Sequence, residues 1–259
     1  MSGKYTIVMV GAGNVATHLT YALIKAGHRI VAVFSASEKS AGMLAEKTGT
    51  SGTTNLDTLP VKADFFIIAV RDNALEQVIS NLGERNGMVV HTTGSVGMEV
   101  FKGKFKSYGV LYPFQTFRKE QEMEMGQVPF LIESNSEKGL LKVRKLAESI
   151  SSNVIDFNSE QRRYLHLTAA FACNFTNYLV SVAESILKEH HIDRSLLLPL
   201  VEETFRKIRV GPAKDMQTGP AIRGDTSTMK KHLDLLENYT DWQKLYSYMS
   251  ELIQKNDKL

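Results

Sequence analysis

The sequence contains a glycine-rich run, Gly-Ala-Gly-Asn-Val-Ala, at residues 11–16. It follows an apolar run from Tyr5 to Val10 and opens a stretch with apolar residues at helical spacing. Gly11 permits a tight turn, Gly13 lets a phosphate approach the backbone, and the free N–H groups of a helix start attract that phosphate. This context predicts a dinucleotide-binding turn rather than a purely structural one. The residues predicted to contact the cofactor are Gly11, Ala12, Gly13, Asn14 and Val15.

The end of the second predicted strand bears on which dinucleotide is bound. NAD-binding proteins usually place a carboxylate there, whereas this chain has Ser-Ala-Ser-Glu-Lys at residues 35–39. Hydroxyl groups and a nearby lysine suit a 2′-phosphate, which favours NADP; NAD stays an alternative because Glu38 lies close. The predicted contacts here are Ser35, Ala36, Ser37 and Lys39. Ser37 has a second interpretation as the N-cap of an exposed helix.

Two later strand ends are expected to face the same crevice, because ligands gather outside the carboxyl ends of parallel strands. The first of these ends carries Val70 and Arg71, and the second carries His91, Thr92 and Thr93. His91 is a candidate proton donor, and its alternative role is a hydrogen bond at the end of the strand.

Polar side chains interrupt an apolar stretch later in the chain. His166 and Asn174 are eight residues apart, about 800° of helical rotation, so they share a broad face of the predicted helix. The stretch is apolar nearly all round, as buried helices are, and buried polar groups need partners. Either a substrate, or a neighbouring helix or dimer partner, is expected to supply them. His166 is the first candidate for a general acid or a hydrogen-bonder to the substrate, and Asn174 is a further catalytic candidate.

A loop near the C-terminus carries Arg223 beside glycine residues. A guanidinium group on such a loop suits bidentate capture of a substrate carboxylate. Asp225 follows directly and is interpreted as the N-cap of the next helix. His190, His191 and His232 lack other donors at metal-ligand spacing, so no metal site is predicted.

The first part of the chain alternates short apolar runs with amphipathic helical stretches, the pattern of a parallel sheet with helices on both faces. Such a sheet would position these side chains. The predicted strands are Tyr5–Val10, Arg29–Ser35, Phe65–Val70, Met88–His91, Gly109–Tyr112, Phe130–Glu133 and Asn153–Phe157, with helices such as Asn14–Ala26 and Asn73–Leu82 between them. The predicted fold class is therefore α/β, a Rossmann-like, doubly wound and mostly parallel sheet over residues 1–157.

Beyond Ser159 the strand signals stop. Asn158 or Ser159 is expected to cap a long helix that ends near His190, and a second helix should start near Asp193. Further helices are predicted from Asp225 to Leu236 and from Thr240 to Ile253. Residues 158–259 are therefore expected to form an all-helical domain.

Composition excludes several classes of function. The net charge of +3 comes from 31 basic and 28 acidic residues without dense Lys/Arg blocks, which argues against a nucleic-acid partner. No apolar run is long enough for a membrane span, and the strand near the N-terminus leaves no room for a signal peptide, so a cytoplasmic location is expected. Cys173 lies among apolar residues and is expected to be a small buried side chain.

Several of these motifs occur together in one known family. The succession G-A-G-N-V-A, A-V-R-D-N-A, H-T-T-G-S, G-V-L-Y-P-F-Q-T-F, Y-L-H-L-T-A-A-F-A-C-N-F and T-G-P-A-I-R-G-D resembles Rossmann-like NADP oxidoreductases with a helical C-terminal domain of unassigned function. That family is similar to pyrroline-5-carboxylate reductase, to deazaflavin-dependent NADP reductases and, more distantly, to β-hydroxyacid dehydrogenases. The resemblance implies NADP-linked redox chemistry and a homodimer built through the helical domain, which would also bind the substrate.

The chain departs from these relatives at the positions that do chemistry. The β-hydroxyacid dehydrogenases place a catalytic Lys four residues before an Asn, but here Ala170 precedes Asn174 and Cys173 precedes Asn177. Pyrroline-5-carboxylate reductases carry G-S-G-P-A-Y on this helix, whereas residues 169–178 read A-A-F-A-C-N-F-T-N-Y. Where relatives commonly have His-Pro after the sixth strand, Tyr112 stands before proline.

The sequence thus supports two hypotheses of different classes. The first is an NADP-dependent oxidoreductase that passes a hydride between the nicotinamide and a C=N or C=O bond of a small carboxylate-bearing substrate. The second is a non-catalytic dinucleotide sensor or dimeric scaffold. This hypothesis stays open because the catalytic lysine of the β-hydroxyacid dehydrogenases is absent here.

Overall fold

A single eight-stranded sheet organises the first of two units, residues 1–172 and 173–259, into which the chain divides. The computed structural model describes residues 4–256. The strands are β1 (Thr6–Val10), β2 (Arg29–Phe34), β3 (Gly52–Thr53), β4 (Lys62–Ile68), β5 (Asn86–His91), β6 (Tyr108–Pro113), β7 (Phe130–Ser134) and β8 (Val154–Asp156). Their order across the sheet is β3-β2-β1-β4-β5-β6-β7-β8. Neighbouring strands pair in parallel except β6 and β7, which are antiparallel, so the predicted fold class is confirmed.

Helices cover the sheet because five of its strands, β1, β2, β4, β7 and β8, are each followed directly by an α-helix. They are α1 (Asn14–Lys25), α2 (Glu38–Thr48), α3 (Asp72–Asn81), α4 (Glu137–Glu148) and α5 (Ser159–Ala169). Of the two predicted caps, Asn158 and Ser159, the structure selects Asn158, which caps α5 in a reciprocal arrangement with Gln161. The predicted strand bounds differ from the structure by at most three residues, and the two-residue strand β3, which has no apolar pattern, was not predicted. The helix expected to start near Asp193 begins at Leu198, after a short 3-10 turn at Arg194–Leu196.

The hydrophobic core lies on both faces of the sheet. Side chains alternate along a strand, so on β4 Phe65 packs with the cluster that contains Leu19 of α1. Its neighbour Phe66 packs on the opposite face with Leu75 and Ile79 of α3. Burial on both faces explains why the central strands are apolar at successive positions.

Gly11 fixes the connection between β1 and α1. Its φ of +127° belongs to a region that side chains rarely adopt, and a Cβ there would lie 2.2 Å from the carbonyl oxygen of Ala69. The end of β1 therefore lies directly against the chain that leaves β4, and only glycine fits.

A buried ion pair ties α5 to the sheet. The Arg162 side chain is fully buried, and it donates to Oε2 of Glu133 on β7 and to the carbonyl oxygen of Val96, both at 2.8 Å. The Ser159 hydroxyl donates to the same carboxylate at 2.6 Å and accepts from the Met98 amide at 2.9 Å. Because of these contacts α5 belongs to the first unit, whereas the sequence placed the boundary at 157/158.

The second unit is helical, as predicted. Its helices are α6 (Thr176–Glu189), α7 (Leu198–Ile208), α8 (Thr226–Leu235) and α9 (Thr240–Asn256). Between α5 and α6, residues 170–175 form a π-helical turn, so the long helix predicted from 158 to 190 is not a uniform α-helix. Within the described part of this unit, α8 and α9 are joined by a hydrogen bond of 2.8 Å between His232 and Tyr246.

Two expectations about burial in the helices are wrong. The helix around residue 170 was expected to be buried, but neither the π-helical turn nor α6 has a buried residue, and α5 has only Arg162. Cys173, expected to be a buried small side chain, is exposed. Apolar residues at helical spacing show that burial of one helix face is favourable, but not that the same chain buries it.

None of the helices among residues 4–256 combines the length and the hydrophobicity needed to cross a lipid bilayer.

We expect Glu133→Gln to lower the free energy of unfolding by about 3 kcal/mol, because it leaves the buried Arg162 guanidinium without a compensating charge. Urea denaturation measures the change. Glu99→Gln is the matched control, since Glu99 pairs with the neighbouring Arg163 at 3.6 Å on the protein surface. This control should change stability by less than about 0.5 kcal/mol. Equal effects of the two substitutions would contradict a special role for the buried pair.

Candidate functional site

A cavity of about 1030 Å³ opens at the carboxyl ends of the parallel strands. The strand order reverses between β1 and β4, and such switch points are where open α/β sheets bind ligands. All residues that line the cavity belong to the first unit. The candidate site is therefore built from the sheet, the helices that follow its strands, and α5.

The glycine turn forms one wall of the cavity. All five residues predicted for this contact, Gly11 to Val15, line it. Gly13 precedes the first turn of α1, and a Cβ placed on it would meet no atom within 4 Å, so it borders open space. The first amide that donates within the helix is that of Thr17, to the Gly13 carbonyl oxygen at 3.0 Å. The amides before it in the first turn are available to an anion.

The loop after β2 contributes hydroxyl groups to the cavity but not the predicted lysine. Ser35, Ala36 and Ser37 line the cavity together with Ser40, which was not predicted, while Lys39 does not line it. The Ser37 hydroxyl accepts from the Ser40 amide at 3.4 Å, so its interpretation as an N-cap is also confirmed. Lys39 directly follows the first residue of α2, and its side chain is exposed.

The ends of β4 and β5 contribute the other predicted contacts. Val70, Arg71, Thr92 and Thr93 line the cavity. Neighbouring side chains that were not predicted include Leu56, Gln77, Val78 and Asn81. Gln77, Val78 and Asn81 lie on α3 and Leu56 in a 3-10 turn before β4, so their presence depends on packing, and no local motif marks them.

His91 lies behind the cavity wall rather than in it. The residue is fully buried on β5, its ring lies against Phe101 with centroids 5.4 Å apart, and its Nδ1 accepts from the Thr93 amide at 3.2 Å. Burial, with a further contribution from the charge of Arg162, lowers the pKa of His91 to about 3. Its geometry supports the strand-end hydrogen bond, so we do not propose it as a proton donor.

Tyr112 and His166 form a hydrogen-bonded pair on the cavity wall. The hydroxyl of Tyr112, at the end of β6, lies 3.0 Å from Nδ1 of His166 on α5. Burial raises the pKa of Tyr112 to about 12, and the negative charge of Asp72 adds to the rise. A Cβ on Gly94 would lie 2.6 Å from Nδ1 of His166, so the pair needs glycine at this position. The sequence singled out both residues but did not bring them together.

Asn174 and Arg223 lie in the second unit. Asn174 is exposed in the π-helical turn, and Arg223 is exposed on the loop before α8. Asp225 caps α8 by accepting from the Thr228 amide at 3.0 Å, which confirms its interpretation as an N-cap. The roles of Asn174 and Arg223 in catalysis stay predictions.

The segment of residues 114–124 adds a lysine to the site that sequence reasoning missed. Nζ of Lys119 donates to the carbonyl oxygen of Ala12 at 2.5 Å, and Lys119 lines the cavity. The two residues are 107 positions apart, so no motif joins them. Within residues 4–256 there is no cluster of three or more His, Cys, Asp or Glu side chains arranged to hold a metal ion.

Comparison with known proteins identifies the family. A Rossmann-like domain model matches residues 2–111, and the model of the Domain of unknown function (DUF2520) matches residues 128–253. The solved structure of a putative NADP oxidoreductase from Bacteroides fragilis is 39% identical, with a TM-score of 0.93 over 97% of this chain and 98% of that chain. The chain belongs to this family of Rossmann-like DUF2520 proteins. No curated protein matches its sequence.

More distant structures share the fold of the DUF2520 family. Pyrroline-5-carboxylate reductase from Streptococcus pyogenes is 15% identical, with a TM-score of 0.63 over 99% of both chains. The imine reductase from Myxococcus stipitatus, solved in complex with NADP+, is 16% identical, with a TM-score of 0.61 over 98% of this chain and 94% of that chain. These similarities extend over the sheet and the helical part alike.

We expect the buried His91 to make the stability of this DUF2520 protein depend on pH. Between pH 6.5 and about 3 the unfolded chain binds a proton on this residue that the folded chain does not bind. Stability is therefore lost as the pH falls through this range. From about pH 7.5 to about pH 5 the wild type should lose about 2 kcal/mol more unfolding free energy than His91→Asn.

Urea denaturation at the two pH values measures this difference. The exposed His191 serves as the control residue, and its φ of 55° is one that asparagine tolerates well. His191→Asn should keep the pH dependence of the wild type. An unchanged pH dependence in His91→Asn would show that this imidazole is not held neutral by the fold.

Proposed function

We propose that this chain is an NADP-dependent oxidoreductase that transfers a hydride between the nicotinamide and a C=N or C=O bond of a small substrate. The observation that carries the proposal is that one cavity is lined both by the glycine turn and by the Tyr112–His166 pair. A turn suited to a dinucleotide and a hydrogen-bonded pair suited to proton transfer therefore border one space, as a hydride-transfer reaction requires.

The residues of the cavity fit an NADP molecule. Its volume of about 1030 Å³ lies at the upper end of the range of ligand sites. The first turn of α1 and the open space beside Gly13 suit the diphosphate, and the hydroxyls of Ser35, Ser37 and Ser40 suit a 2′-phosphate. The name of the Bacteroides fragilis relative, at 39% identity, supports NADP over NAD.

Bound NADP would supply or accept the hydride, and reduction of a C=N or C=O bond also needs a proton. Tyr112 keeps its hydroxyl proton at all ordinary pH values because its pKa is raised to about 12. His166 shares a hydrogen bond with that hydroxyl and is exposed to solvent. We propose Tyr112 as the proton donor beside the substrate and His166 as the group that replenishes it.

The substrate class and the assembly complete the proposal. Arg223 and Asn174 remain candidates for binding a substrate carboxylate and orienting the reacting group.

A homodimer through the helical unit is supported by burial, since among residues 173–255 only Ala221 is buried within the chain. Sedimentation equilibrium tests the dimer, and a monomer at micromolar concentration would contradict it.

The cofactor proposal is tested by titrating the protein with NADPH and following its fluorescence. We expect Gly13→Ala to fold normally and to bind NADPH about tenfold more weakly, because the new methyl group enters the space for the diphosphate. Gly126→Ala is the matched control, since a Cβ there also meets no atom within 4 Å but lies outside the cavity. Absence of NADPH binding by the unaltered chain would refute the cofactor proposal.

The proton-donor proposal is tested by turnover of NADPH with a panel of keto acids and cyclic imines. With a substrate that reacts, Tyr112→Phe should lower kcat about a hundredfold and leave the KM for NADPH unchanged. Tyr108→Phe, on the same strand but outside the cavity, should have little effect. If the chain binds NADPH tightly and turns over no substrate, a dinucleotide sensor is the better description.

A further inference from the structure

Residues 114–124 form neither helix nor strand, and part of this segment lies against the start of α1. The Asn14 side chain donates to the Phe117 carbonyl oxygen at 2.8 Å, and the His18 side chain donates to the Arg118 carbonyl oxygen at 2.9 Å. Phe117 is buried, and its ring lies 5.4 Å from that of His18. The segment is thus held beside the glycine turn by packing and by hydrogen bonds from α1.

Two adjacent cations on this segment differ in what their side chains reach. Nζ of Lys119 lies 2.5 Å from the Ala12 carbonyl oxygen and borders the cavity. Arg118 contacts α1 through its backbone carbonyl, and its exposed side chain is not part of the cavity lining. Of these two positive charges, only that of Lys119 lies next to the glycine turn.

The position of the Lys119 ammonium group suits a phosphate. An ammonium group has three N–H donors, and the bond to Ala12 uses one of them. The remaining donors lie beside the turn whose backbone N–H groups face the same cavity. Of the residues that line this cavity, Arg71 and Lys119 carry permanent positive charges and Asp72 carries a negative one. Lys119 is therefore one of few charges available to balance a dinucleotide.

We propose that Lys119 binds the diphosphate of the dinucleotide, acting as a cationic clamp supplied from the 114–124 segment. This inference rests on the proposed dinucleotide binding and adds the residue that neutralises the phosphate charge. The clamp acts on the part common to NADP and NAD, so it contributes affinity for both. Discrimination between the two is left to the residues after β2.

The test compares Lys119→Met with Arg118→Met, since each removes one positive charge from neighbouring positions. NADPH and NADH are titrated separately into each protein and followed by nucleotide fluorescence at low and at moderate salt. Lys119→Met should weaken the binding of both nucleotides by a similar factor, about tenfold, and reduce the salt dependence of binding. Arg118→Met should stay near the unaltered protein, and Lys119→Arg should retain most of the affinity.

Other results of these titrations would contradict either the clamp or the proposed function. Equal affinities of Lys119→Met and Arg118→Met would overturn the clamp, and so would a loss limited to NADPH, which would assign Lys119 to the 2′-phosphate. If the unaltered chain binds neither nucleotide, the proposed function fails rather than the clamp alone. Thermal unfolding of the variants shows whether the exposed substitutions leave the fold intact.

Discussion

A positive charge can be buried inside a protein only where an opposite charge and hydrogen-bond acceptors surround it. The fully buried Arg162 side chain meets this condition. Its guanidinium reaches Glu133 on β7 and the Val96 carbonyl on the loop after β5, while Ser159 bonds to the same carboxylate. Such a pair contributes less to net stability than to geometry, because desolvation offsets much of the attraction. Here the pair connects α5 to β7 and to the loop after β5.

The placement of α5 determines the position of His166. His166 follows Arg162 by one helical turn, so the anchored arginine directs the histidine toward the end of β6. There it meets the Tyr112 hydroxyl at 3.0 Å, across the space that glycine at position 94 leaves free. The charged network thus helps to position the Tyr112–His166 pair, although none of Arg162, Glu133 and Ser159 lines the cavity. The same network helps to keep the nearby His91 neutral, since the charge of Arg162 opposes its protonation.

The opposite side of the cavity depends on backbone contacts rather than on charges. Gly11 lies so close to the Ala69 carbonyl oxygen that β1, α1 and the end of β4 must take one relative position. This contact sets the direction of the first turn of α1, and Lys119 bonds to the same turn from a distant part of the chain. The cavity is therefore bordered by the glycine turn, by Lys119 of the 114–124 segment and by the Tyr112–His166 pair. In the proposed reaction the first two bind the diphosphate and the last acts on the reacting bond.

The sequence alone determined those features that depend on neighbouring residues. The glycine turn, the alternating strands, the start of α5 at Asn158 or Ser159 and the helical C-terminal region follow from local rules of backbone geometry and side-chain spacing. Most residues predicted to contact the cofactor line one cavity, because a motif fixes where its own backbone lies. The tertiary structure decided what meets across the chain: Arg162 with Glu133 over 29 residues, Tyr112 with His166 over 54 and Lys119 with Ala12 over 107. It also decided that His91 faces inward and Cys173 outward, because periodicity gives the preference of a face and only packing supplies its partner.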